Sequence, residues 1–202
     1  LEFRRVLFRS TSIGGTPINT TGTQAGLQYI SQRGVNLADA GDADTPLFQY
    51  DLLVSDASRF ILVFGTNDYG QDYLDPMLIR WSNQEDPYTW TPDATNQAGS
   101  IRLSRGSKIV TALQTRQEIV TFTDSALYSL QYVGPPYVWS SQLLGDNISI
   151  IGPNAVALAS GIVYWMGRDK FYMYNGNVST LNCDLRRYVF QDFKDRKSTR
   201  LN

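Results

Sequence analysis

Between Pro46 and Asn182 the chain returns repeatedly to short runs of β-branched and aromatic residues separated by turn-forming ones, and this rhythm constrains the fold more than any other feature. The runs read "LFQYDLLV", "RFILVFG", "MLIRWS", "SIRLS", "KIVTALQ", "EIVTFT", "ALYSLQYV", "NAVALAS", "GIVYWMG" and "KFYMYNG". They are too short for packed helices and rich in side chains that fit a pleated surface, so an all-β, antiparallel fold is expected. Two stretches superpose. "IVTALQTRQEIVTFTDSALYSLQ" from Ile109 lies over "AVALASGIVYWMGRDKFYMY" from Ala155 once two residues of the first turn are dropped, and "IVTF" at Ile119 then meets "IVYW" at Ile162. The offset, about 43 residues, is that of a β-propeller blade. "RFILVFG" followed by "MLIRWS" reads as an earlier copy. A single blade cannot cover both of its faces, so several are expected to stack around an axis.

Residues 46–182 are therefore assigned to propeller-like blades. Residues 11–45, in which Gly, Thr, Asn and Gln surround isolated apolar side chains, are expected to be irregular. Residues 183–194 are expected to form a short helix leading outward, because Leu185, Val189 and Phe193 recur at helical spacing behind Asn182 and Asp184, either of which can cap. Asn175-Gly176 suits the two positive φ values of a type I′ or related tight turn, and Gly134-Pro135-Pro136 halts the strand before it.

The two ends differ in character from this text. The closing "DRKSTRLN" can be encoded by GATCGGAAGAGCACACGTCTGAAC, whose reverse complement, read one base in, gives the opening Phe3 to Ser10. The ends are thus one DNA element in two orientations, and that element resembles the ligation adapter of sequencing libraries. Residues 1–10 and 195–202 are accordingly expected to be adapter-derived, and the natural text to be a fragment from about Thr11 to Lys194 without its true termini. The ends hold six of the 18 Lys and Arg residues and two of the 19 Asp and Glu residues, which leaves 12 and 17 and a net charge of −5. No basic cluster of the kind that neutralises phosphates is visible in the remaining text.

Histidine is absent, which excludes Ser-His-Asp and Cys-His catalysis and His-bearing zinc sites within this chain. Cys183 stands alone, so no intrachain disulfide forms, a feature that favours a reducing compartment during maturation. No apolar run approaches the roughly 18 residues of a membrane-spanning helix. Glu85 and Asp86 in "SNQEDPYTWTP" are the best carboxylate pair for glycoside hydrolysis; Asp86 before Pro87 also reads as a turn opener. Asp42, Asp44 and Gly145 to Asn147 carry oxygens that calcium uses, without the ligand series of a calcium loop. No cofactor or metal is expected. Trp81, Trp90, Trp139 and Trp165 with Tyr164, Tyr172 and Tyr174 suit either a carbohydrate platform or the packing between blades. Tyr137 and Trp139, beside the Pro-Pro break, are expected at the surface, and with Tyr88 and Trp90 they are the candidate partner-interface residues.

The succession "LIRWSNQEDPYTWTP", "QAGSIRLSRGSKIVTALQTRQEIVTFTDSALYSLQYVGPPYVW" and "LLGDNISIIGPNAVALASGIVYWMGRDKFYMYNGNVSTL" resembles the packaged-DNA stabilisation proteins, or tail accessory factors, of short-tailed bacteriophages. It is also similar in layout to the tubular or nozzle proteins of such tails. The resemblance runs from about Leu78 to Leu181 and carries no catalytic motif. It implies a non-enzymatic virion protein of the head-tail connector or tail nozzle, assembled in the host cytoplasm. It further implies a ring homo-oligomer, a hexamer, that meets portal or tail adaptor proteins, extends the tail tube and retains packaged DNA without binding it tightly. A receptor- or glycan-binding tail propeller and a carboxylate glycosidase propeller are the alternatives.

Overall fold

The computed structural model describes residues 41–191. The adapter-like ends, most of the irregular segment and Phe193 lie outside the described residues. Among the described residues twelve strands form three four-stranded antiparallel sheets, each a meander in sequence order. The first sheet holds β1 (Asp51–Ser55), β2 (Phe60–Asn67), β3 (Leu74–Trp81) and β4 (Gly99–Arg102). The second holds β5 (Ile109–Gln114), β6 (Ile119–Thr123), β7 (Ala126–Gly134) and β8 (Val138–Asp146). The third holds β9 (Val156–Ala159), β10 (Ile162–Met166), β11 (Phe171–Tyr174) and β12 (Val178–Leu181). The fold is all-β, and among the described residues one helical turn and a half, α1, lies at 186–191.

The sheets stack face to face through the alternation of their strands. Phe60, Leu62 and Phe64 of β2 and Ile79 and Trp81 of β3 share one face, which packs on Ile109, Ile119, Tyr128 and Leu130 of the second sheet. The opposite face of the second sheet offers Val120, Phe122 and Leu127 to Val163, Trp165 and Tyr174 of the third. β6 and β10, the pair superposed in the sequence, are each the second strand of their sheet. At the join Trp165 meets Phe122 edge to face at 5.3 Å and stacks on Tyr172 at 5.3 Å. The remaining face of the third sheet presents Tyr164, Met166, Phe171 and Met173, all only half-buried.

β1, β5 and β9 begin at one end of the stack, called here the leading end, where Tyr50, Lys108 and Pro153, just before these strands, line one cleft. The β2–β3, β6–β7 and β10–β11 turns and α1 lie there too. The β1–β2, β3–β4, β5–β6 and β7–β8 connections lie at the trailing end. A β-bulge at Gly65 bends β2, and only glycine serves there: φ is +65°, and a Cβ would sit 2.3 Å from the Tyr50 ring.

Two local expectations are corrected. The Asn175-Gly176 turn has a positive φ only at Gly176, +78°, so it is not type I′. In α1 the residue that is buried is Phe190, packed on Phe171 at 5.2 Å, while Leu185 is exposed and Val189 half-buried. Phe171 at the start of β11, rather than a regular helical stripe, decides which side chain points inward, since it is the aromatic surface that Phe190 meets.

Candidate functional site

The candidate interface residues fall on two trailing-end elements, the long β3–β4 loop and the β7–β8 hairpin. The loop is built by short polar contacts. Asn83 Oδ1 accepts the Gln97 amide at 3.0 Å, the Asn83 amide bonds the Thr89 carbonyl at 2.8 Å, and Trp81 Nε1 donates to the Gln97 carbonyl at 2.8 Å. Segment 41–46 ties it down from outside. Asp42 Oδ2 accepts the amides of Trp90 and Thr91, each at 2.7 Å, and Asp44 Oδ2 accepts the Thr91 hydroxyl at 2.9 Å. Burial raises the Asp42 pKa, but the Thr91 and Trp90 amides outweigh it and hold the carboxyl below its ordinary value. These bonds answer for Asp42 and Asp44 as loop ties. Among the described residues no group of three or more Cys, Asp or Glu side chains is placed to hold a metal ion.

The hairpin leans on the same loop. Tyr132 of β7 donates its hydroxyl to Gln97 Oε1 at 3.3 Å, and its ring meets Trp139 at 5.7 Å and Phe60 at 5.6 Å. The structure therefore brings the two elements together through Tyr132 and Gln97, neither of which the sequence had marked. It also divides the four candidates. Tyr88, 51% exposed, and Tyr137, 79% exposed, face solvent. Trp90 is wholly buried with Nε1 bonded to the Pro87 carbonyl at 2.9 Å, and Trp139, 5% exposed, belongs to the core between the first two sheets. The surface placement expected of Trp139 is thus corrected: it follows the turn closely enough for β8 pairing to turn its ring onto Tyr132 and Phe60. Of the two readings of the strand aromatics, packing is the one observed, since Trp81, Trp90, Trp139, Trp165 and Tyr174 are all buried.

Glu85 and Asp86 are engaged locally. Glu85 pairs with Arg59 across the trailing end, and its amide bonds the Arg59 carbonyl at 2.9 Å. Both residues adopt a positive φ of 59°. Asp86 closes an Asx turn, accepting the Thr89 hydroxyl at 2.6 Å and the Tyr88 amide at 3.0 Å. Those bonds, the Thr89 hydroxyl first, lower its pKa, whereas a general acid of a glycosidase needs a raised one. Asn147, likewise, takes a positive φ of 58° and bonds its amide to Asp146 Oδ1 at 2.9 Å, the geometry of a turn.

Three polar positions that carry the architecture escaped the sequence reading. Asp51 links β1 to β5, Glu118 links the second sheet to the third through Tyr174 Oη at 2.7 Å, and Arg80 is wholly buried beneath the β2–β3 loop. A charged residue inside an apolar strand run, as in "MLIRWS", was the signal available for Arg80. Among the described residues no helix is long and apolar enough to cross a membrane. The chain matches no protein-family model and no curated protein.

Proposed function

We propose that this chain is part of a virion structural protein of a short-tailed phage, a head-tail connector or tail nozzle component that extends the tail tube and keeps packaged DNA in place. The observation that carries the reading is the stack of three meander sheets, joined by buried aromatic and polar contacts, whose last sheet keeps an apolar face half-exposed. Such a stack extends naturally by further sheets of the same kind, as in a propeller, and a closed array leaves few strand edges to aggregate. The net charge of −5 outside the adapter-like ends suits a tube along which DNA slides, since it weakly repels phosphates overall. The trailing-end loops, rigidly tied and presenting Tyr88 and Tyr137, serve partner contact by shape. The reading is tested by adding the intact gene product to particles that lack it and leak DNA. Genome retention is expected to return, and persistent leakage would overturn the assignment.

A further inference from the structure

The leading end of the stack carries two surfaces of opposite chemistry. Between the second and third sheets lies a cleft of about 680 Å³ lined by exposed Tyr50 and Ile151, by buried Ile109, Ile150 and Phe190, and by the cations Lys108 and Arg168. An adjoining cleft shares Arg168 and Phe190 and adds Arg186 and Arg187 together with Asp169 and Asp184. The cations come from three separate places in the sequence, so no cluster was visible there. Among the described residues Lys108, Arg168 and Arg187 join no ion pair, while Arg186 reaches Asp169 at 3.9 Å. Asp124, the acid lining the first cleft, is held by the Ser107 amide at 2.8 Å and hydroxyl at 2.5 Å.

On the first sheet, at the same end, the β2–β3 loop is the complement. Asp68, Asp72 and Tyr73 are exposed, Tyr73 by 63%, and among the described residues neither aspartate joins an ion pair. The loop is held from beneath. Buried Arg80 donates Nη1 to the Asn67 carbonyl at 3.2 Å and Nη2 to the Asp44 carbonyl, and its guanidinium sits 4.2 Å from the Tyr69 ring centre. Asn67 Nδ2 bonds the Gln71 carbonyl at 2.8 Å, and the Gly70 amide bonds Asp44 Oδ1 at 3.1 Å. A loop fixed in this way loses little conformational entropy when it docks.

We propose that the β2–β3 loop of one copy docks in the leading-end cleft of a second copy, with Tyr73 on the apolar lining and Asp68 and Asp72 against Lys108 and Arg168. The complementarity of charge and of aromatic against apolar surface selects this occupant over a nucleic-acid backbone, which offers charge without an apolar anchor. The two patches differ, so each copy gives one and receives one. That heterologous contact closes into rings or runs on as filaments. The proposal rests on the ring-forming structural role and assigns its interface.

Sedimentation velocity of the 202-residue chain over a range of concentrations tests it. Association is expected to rise with concentration and weaken with salt. The variants D68K/D72K and K108E/R168E should each self-associate at least about tenfold more weakly, and an equimolar mixture of the two should recover association. Tyr73→Ala, which leaves charge unaltered, should weaken it as well and so separates docking from bulk attraction. A chain that stays monomeric throughout, reversed variants that associate like the parent, or a K108E/R168E variant that loses duplex DNA binding while self-association persists would each overturn the proposal. Rings on portal complexes that form equally well with both reversed variants would remove this interface and leave the structural role standing.

Discussion

The carboxylate of Asp51 lies 2.8 Å from the hydroxyl of Thr111, in the buried seam where the first strand of one sheet meets the first strand of the next. The same Oδ2 accepts the Ala112 amide at 3.0 Å. A buried acceptor shared across two sheets fixes their relative position, because removing it strands two donors away from water.

Asp51→Ala is therefore expected to cost about 2 to 4 kcal/mol, while Asp51→Asn, which keeps one carbonyl oxygen, should cost less. Urea unfolding of both variants measures this. An alanine variant as stable as the parent would mean that the seam is held by apolar packing alone.

Trp165 performs the corresponding task between the second and third sheets. Trp165→Ala should cost roughly 3 to 5 kcal/mol through the lost contacts with Phe122 and Tyr172 and the cavity left behind. Among the described residues Trp165 Nε1 is buried without a hydrogen-bond partner, so Trp165→Phe, which discards that donor, should be clearly milder. Equal losses for the two variants would contradict this.

The Tyr174–Glu118 bond makes a statement about alkaline pH. Burial, and then the hydrogen bond to Glu118, push the Tyr174 hydroxyl up to about 12 from 10.0. The folded state favours the neutral phenol, so this contribution is complete below pH 10.0 and is lost as pH rises toward 12. In an absorbance titration of tyrosinate Tyr174 should ionise late. Glu118→Gln should lower its pKa only in part, because burial is the larger cause. A titration unchanged by Glu118→Gln would show that the bond contributes nothing.

Asp42 fastens the β3–β4 loop from segment 41–46. Asp42→Ala should speed hydrogen exchange at the Trp90 and Thr91 amides, leaving β10 and β11 unchanged. Since the folded-state pKa is depressed, acid has the same direction of effect: the tie is complete above 3.8 and is lost as pH falls through the lower folded value. Exchange that is uniform before and after the substitution would remove Asp42 from this role.

Most of the strands were legible because the two inner strands of each sheet bury at least one face, and burial writes itself into period-two apolar runs. β8 and β12 were not marked. They are the last strands of their sheets, largely exposed in "SSQLLGD" and "VSTL", so polar residues satisfy them and the pattern fades. Pairwise long-range contacts were equally hidden: nothing local joins Asp51 to Thr111 or Tyr132 to Gln97. Trp139 shows the limit from the other side. A proline pair next to an aromatic reads as a surface turn, yet the register of β8 against β7 turns that ring into the core.

The central claim, a structural protein that assembles on the portal end of a phage particle, is tested most directly by electron microscopy of the intact gene product mixed with portal–adaptor complexes. A stoichiometric ring is expected, with density that accommodates the three stacked sheets, and without turnover of glycan substrates. Failure to associate, together with cleavage of a polysaccharide that disappears in Glu85→Gln, would contradict the account and favour a carboxylate glycosidase.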